Sequence, residues 1–141
     1  FVIRTAIYEQ CYELPLNNEK FMPDNIPYIN ANSQGKCKLV NEILYCGDYL
    51  EDGMTNNVFR MAVNNINSYI YEKKRLQTEN LVFKHEIVTT VKYINYSILA
   101  KKDYTDIVDY SGNKILTMLL YFPVFLGLYF YRHKKLKCIK K

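Results

Sequence analysis

The sequence predicts an α+β fold in which one long helix packs on an incomplete antiparallel sheet, followed by a C-terminal transmembrane helix. Three observations predict it. Apolar side chains recur at helical spacing over residues 57–74, whereas residues 81–100 are rich in β-branched and aromatic side chains and contain no Gly or Pro. Residues 115–131 carry no charge. We expect the amphipathic helix to bury its apolar face against one side of the sheet.

Composition and charge argue against a disordered tail and against a nucleic-acid-binding protein. The chain has 141 residues, of which 49% are hydrophobic and 23% are charged, so it is not a disordered tail. Its formal net charge is +5, but residues 132–141 hold six of the nineteen basic residues and no acidic one. The other 131 residues carry thirteen basic and fourteen acidic side chains. A basic groove for phosphates is not indicated, and we expect no nucleic-acid partner.

Residues 1–35 are predicted to form an N-terminal strand followed by a linker. Polar and apolar side chains alternate over Phe1–Glu13, as in a strand that ends near Pro15. Residues 14–36 then gather Pro, Asn and Gly, a composition typical of linkers and extended surface loops. The alternative interpretation of this region is that it ends a preceding repeat.

The helix and the sheet occupy a domain predicted over residues 36–104. The helix over Asn57–Lys74 has one apolar face, and its basic last turn suits the helix dipole. The run Leu81–Ala100 is longer than a usual strand, so we expect two antiparallel strands with a turn near Thr89 and Thr90. The order along the chain is therefore helix, then hairpin.

A membrane-spanning helix is predicted after a polar spacer over residues 105–114. The seventeen residues Ile115–Tyr131 contain no charge and form a helix of about 25 Å, slightly less than the hydrocarbon core. The basic residues of Arg132–Lys141 place the C-terminal tail in the cytoplasm and the preceding part of the chain outside the cell. The alternative is a buried core helix with a solvated basic tail.

Three cysteines would lie in the oxidising exterior, and Cys37 and Cys46 are the candidate disulfide pair, although spacing does not establish the pairing. Cys11 is the third. The single N-glycosylation sequon begins at Asn95. No close Cys and His spacing indicates a metal site.

Catalytic signatures are missing. The sequence contains no GxSxG, no HExxH and no glycine-rich phosphate loop. His85 falls in the predicted strand without a partner for acid–base chemistry. We therefore expect neither an enzyme nor a bound cofactor.

Two short motifs stand out, Ala62-Val63-Asn64-Asn65-Ile66-Asn67 in the predicted helix and Glu86-Ile87-Val88-Thr89-Thr90 in the predicted hairpin. The first is similar to the A-V-x-x-[Y/I/F]-N signature of the cystatin family, the inhibitors of papain-like cysteine proteases. The second stands where that family has its Q-x-V-x-G hairpin loop. The resemblance covers roughly residues 44–100. It implies a cystatin-like fold and a papain-like cysteine protease as partner.

In that family a wedge of loops fills the protease groove on both sides of the catalytic thiol. The resemblance assigns Gly47, with Gly53 as the alternative, to the first wedge element. It assigns the second element to Glu86, Ile87, Val88, Thr89 and Thr90. Glu86 replaces the family's Gln and Thr90 replaces its Gly, and the chain has no Trp for the family's second hairpin loop.

These departures predict weak protease inhibition by a secreted or membrane-anchored protein. The alternative function is a membrane-tethered extracellular interaction module that uses a cystatin-like scaffold without inhibiting a protease.

Overall fold

The computed structural model describes residues 5–32, 34–35 and 57–139, and they form seven helices. These are α1 Thr5–Cys11, α2 Asn25–Asn32, α3 Val58–Asn64, α4 Ile66–Leu76, α5 Phe83–Leu99, α6 Tyr104–Asp109 and α7 Lys114–Ile139. Those ranges contain no β-strand, so the predicted α+β fold with a cystatin-like sheet is wrong for this part of the chain. The chain divides into two compact units, Phe1–Ser68 and Tyr69–Lys141.

The predicted hairpin over Leu81–Ala100 is instead the single helix α5. Its buried side chains are Thr89, Thr90, Tyr93, Ile94 and Ser97, which fall three or four residues apart on one helix face. Three of these five are Thr or Ser, so the helical period is weak when only apolar positions are counted. The β-branched composition suggested strands, and packing on this face overrode that preference.

The predicted N-terminal strand is also a helix where the structure describes it, because α1 occupies Thr5–Cys11. The rings of Tyr8 and Tyr12, four residues apart, lie with centroids 6.0 Å from each other. Asn30 on α2 donates hydrogen bonds to the carbonyl oxygen of Cys11 and to the carboxylate of Glu13, at 2.9 and 2.7 Å. These bonds join α1 and α2 at the end of α1.

The helix predicted over Asn57–Lys74 breaks at Asn65 into α3 and α4. The Asn65 side-chain oxygen accepts hydrogen bonds from the backbone N–H groups of Lys20 and Phe21, at 2.9 and 3.0 Å. The Glu19 carboxylate accepts from the backbone N–H groups of Asn67 and Ser68, both at 2.8 Å. The loop before α2 therefore caps the N-terminus of α4.

In the second unit, a hydrogen bond joins buried residues of α5 and α6. Tyr93, Ile94 and Ile107 are buried, and the Tyr93 hydroxyl donates a 2.9 Å hydrogen bond to the carbonyl oxygen of Ile107. Burial raises the pKa of Tyr93 to about 12. The phenol is therefore a neutral donor that ties the short helix α6 to α5.

Helix α5 ends in a left-handed residue. Lys101 has φ of 58°, and its N–H group donates to the carbonyl oxygen of Ile98 at 3.0 Å. The N–H group of Lys102 donates to the carbonyl oxygen of Ser97 at 3.1 Å, which completes a Schellman motif. This turn directs the chain from α5 into α6.

Candidate functional site

Helix α7 contains the most exposed apolar surface in the described part of the chain. The window Lys114–Tyr131 is long and apolar enough to cross a membrane, and only 6% of it is buried. Its large apolar side chains on one face are between 42% and 75% exposed. They are Ile115, Met118, Leu119, Phe122, Phe125, Leu126, Tyr129 and Phe130. The alternative of a buried core helix does not fit this exposure, because a core helix would be covered.

The opposite face of α7 lies against α5 and α6. Thr117 is fully buried there, while Leu120, Tyr121, Val124 and Leu128 are half-buried. The ring of Tyr121 meets the ring of Tyr104, the first residue of α6, edge to face with centroids 4.8 Å apart. The side of α7 that contacts α5 and α6 is thus opposite its exposed apolar face.

A buried polar cluster of Gln77, Thr90, Ser111 and Thr117 joins α7 to the rest of its unit. The Gln77 amide nitrogen donates to the hydroxyl oxygens of Thr90 and Thr117, at 3.1 and 3.4 Å. Its amide oxygen accepts from the Ser111 hydroxyl at 3.1 Å and from the Gly112 N–H group at 3.0 Å. The hydroxyls of Ser111 and Thr117 are 2.6 Å apart. The buried amide of Gln77 therefore has partners for both of its ends.

Position 112, directly after Ser111, is a glycine because there is no room for a side chain there. A Cβ at Gly112 would lie 2.7 Å from the carbonyl oxygen of Lys74 and 2.9 Å from the Cβ of Gln77. Both distances are shorter than ordinary van der Waals contact. The turn between α6 and α7 can therefore approach the end of α4 only with glycine at this position.

Asn113 caps α7 and connects it to α5. Its side-chain oxygen accepts a 3.0 Å hydrogen bond from the backbone N–H group of Leu116, and its amide nitrogen donates to the Glu86 carboxylate at 2.7 Å. This is the usual arrangement at a helix N-terminus, where free N–H groups need an acceptor. Glu86 in turn holds the capping amide in place.

The residues predicted to contact a protease are not arranged as a loop. Glu86, Ile87, Val88, Thr89 and Thr90 all lie within α5. Glu86 accepts the hydrogen bond from Asn113, which caps α7, and Thr90 belongs to the buried polar cluster. Thr89 is buried, Ile87 is half-buried and Val88 is 46% exposed. Gly47 and its alternative Gly53 lie outside the described residues, as does the candidate disulfide pair Cys37 and Cys46.

The predicted glycosylation site is held in a helix. Asn95 lies in the C-terminal part of α5 and its side-chain oxygen is buried. The Ser97 hydroxyl that completes the sequon belongs to a residue with 0% exposure. Acceptor sequons are normally found in surface loops. The folded chain therefore does not present Asn95 in that way.

Sequence reasoning missed the polar residues that seat α7. Gln77, Ser111, Gly112, Asn113 and Thr117 were not singled out. The signal that could have found three of them is the run Ser111-Gly112-Asn113, which is a turn and cap composition directly before a long apolar helix. Gln77 had no such signal, because its role depends on contacts with residues far along the chain.

Comparison with protein-family models, with curated proteins and with solved structures found no match to this chain.

Proposed function

We propose that this chain is a membrane-anchored helical module in which α7 spans the bilayer. The helices before α7 then lie on the exterior side, where they act by binding a partner and not by catalysis. The residues of Arg132–Lys141 lie on the cytoplasmic side.

The observation that supports the anchor is the exposed apolar face of α7. Eight large apolar side chains on this face are at least 42% exposed to solvent. Transfer of one such side chain from water to an apolar environment contributes about 1.5–3 kcal/mol when the transfer is complete. A bilayer would cover all of them at once, whereas water covers them in the isolated chain.

Charge supports the orientation. Six basic residues and no acidic residue follow the apolar run within residues 132–141. Lys and Arg beside a span favour the cytoplasmic side. The helix α7 continues to Ile139, so it extends into this basic segment. Basic side chains near a helix end can reach the headgroup layer.

The structure offers less support for protease inhibition. A wedge needs an exposed loop that enters the protease groove, and the residues expected to form it are helical with Thr90 at 0% exposure. We therefore place the interaction module first, without the cystatin-like scaffold. Its partner-binding surface is on the exterior helices.

Membrane insertion can be tested with a glycosylation reporter. The substitution Val82→Thr creates a sequon at Asn80, in an exposed turn between α4 and α5. The full chain, translocated behind a cleavable signal sequence into microsomes, should gain a glycan at Asn80 and resist alkaline carbonate extraction. A C-terminal epitope beyond Lys141 should remain accessible to trypsin from the cytoplasmic side.

The matched control is Val82→Ala, which keeps the position small and adds no sequon. It should gain no glycan at Asn80. If the Val82→Thr chain is glycosylated but carbonate releases it in soluble form, α7 does not anchor the protein and the proposal is wrong.

A further inference from the structure

The first residue of α6 covers α7 near the middle of its apolar run. The centre of Ile115–Tyr131 is Pro123, and Tyr121 lies two residues before it, about 3 Å along the helix axis. The Tyr104 ring packs on the Tyr121 ring at 4.8 Å between centroids. The end of α5 and the start of α6 are therefore beside the part of α7 that a centred span would place deepest.

Exposed charged residues lie close to Tyr104 in the sequence. Lys101, Asp103 and Asp106 are exposed and within three residues of Tyr104. If α7 inserted with the contact intact, these charges would enter the hydrocarbon core. Such a position is strongly unfavourable for Lys and Asp.

A shallower position of α7 in the bilayer also brings charged residues into the hydrocarbon core. From Tyr121 to Arg132 the helix rises about 16 Å, roughly half of the hydrocarbon thickness. A bilayer surface at Tyr121 would therefore place Arg132 near the centre, with Lys134 and Lys135 next to it. In either register, charged residues lie at the depth of the hydrocarbon core.

We infer that α7 separates from α5 and α6 when it enters a bilayer, so the docked helix of this structure and the inserted helix are alternative states. This inference rests on the proposed function. The polar cluster holds the docked state. It lies at the start of α7, so water can replace its hydrogen bonds after separation.

A reducible cross-link between α6 and α7 tests the inference. Tyr104→Cys and Tyr121→Cys are introduced in the full chain, together with Cys11→Ser, Cys37→Ser, Cys46→Ser and Cys138→Ser. A short bis-maleimide with an internal disulfide joins the two new thiols and is opened by a reductant. The cross-linked chain is then mixed with phosphatidylcholine vesicles and extracted with alkaline carbonate before and after reduction.

The matched control joins two positions outside α7. The Lys74 ammonium lies 5.7 Å from the centre of the Tyr110 ring, so Lys74→Cys and Tyr110→Cys can take the same linker. This cross-link leaves α7 able to separate. It should therefore not change insertion.

We expect at least a tenfold smaller carbonate-resistant fraction for the cross-linked Tyr104 and Tyr121 pair than for the same protein after reduction. Equal resistance before and after reduction would overturn the inference and leave the anchor intact. If neither this protein after reduction nor the control becomes carbonate-resistant, α7 does not pass from the docked state into a bilayer and the inference fails. The microsome experiment with Val82→Thr decides the anchor separately.

Discussion

Single polar side chains determine how several helices in this chain begin. Glu19 caps α4 from a distant loop, and Asn113 caps α7 from the position just before it. Asn65 supplies the acceptor that splits one predicted helix into two. Asn113 could be anticipated because it is adjacent to its helix. The role of Glu19 could not, since 48 residues separate it from Asn67.

The Glu19 cap predicts a dependence of stability on pH. Partial burial alone would raise the pKa of Glu19, but hydrogen bonds from Ser68 and Asn67 outweigh it and lower the pKa below 4.5. A lowered pKa means that the carboxylate stabilises the fold above the unfolded value, and that this is lost as pH falls through the folded value. The first unit should therefore lose stability below about pH 4.5.

Glu19→Gln should lower the free energy of unfolding by about 1 kcal/mol at pH 7, the usual effect of losing a cap. The difference from the parent should shrink towards pH 3. Urea unfolding across this pH range measures it, and Glu9→Gln at an exposed position of α1 is the control. A difference that stays constant from pH 7 to pH 3 would contradict the role assigned to the carboxylate.

At the scale of elements, the sequence indicated the bounds of the helical segments better than it distinguished helix from strand. The apolar run Ile115–Tyr131 lies within α7, and the predicted helix over Asn57–Lys74 is present in two pieces. The predicted hairpin failed because the inner face of α5 is lined by Thr89, Thr90 and Ser97 as much as by apolar residues. A count of apolar positions cannot detect a helix face that is buried through hydroxyl groups.

Two glycine-to-alanine substitutions, one at the junction between α6 and α7 and one within α7, should have different effects on stability. Gly112→Ala should destabilise the second unit by about 1–3 kcal/mol, because its Cβ would overlap the carbonyl oxygen of Lys74. Gly127→Ala, within α7, has no atom within 4 Å of the new Cβ and should be neutral or slightly stabilising. Thermal unfolding in detergent-free buffer, where α7 is docked, compares the two. Equal melting temperatures would show that the junction can open at no cost.

At the scale of the whole molecule, the candidate site has one feature that can be predicted from the sequence and one that only the fold shows. The uncharged run of α7 is visible from composition alone. The polar cluster that seats α7 is not, because Gln77, Thr90 and Thr117 come from three helices that meet only in the fold. The same reason explains why Glu86 and Thr90 could be taken for a protease-binding loop.

The whole fold also predicts which sequon carries a glycan. Protein that has folded and entered the exterior compartment should carry none at Asn95, because the Ser97 hydroxyl is buried in α5. The Asn80 sequon created by Val82→Thr should be modified in the same preparation. Endoglycosidase treatment of the protease-resistant fraction measures both. A glycan on that fraction that Asn95→Gln removes would contradict the helix at this position.

The hydrogen bond between Tyr93 and Ile107 has a consequence for the compartments that such a protein could pass through. With a pKa of about 12, the Tyr93 phenol keeps its proton at the acidity of a lysosome and at that of blood plasma alike. The pKa of Glu19, in contrast, is lowered, and the cap that its carboxylate makes is lost as pH falls through that lowered value. As pH falls, the hydrogen bond that joins α6 to α5 thus persists after the cap of α4 has weakened.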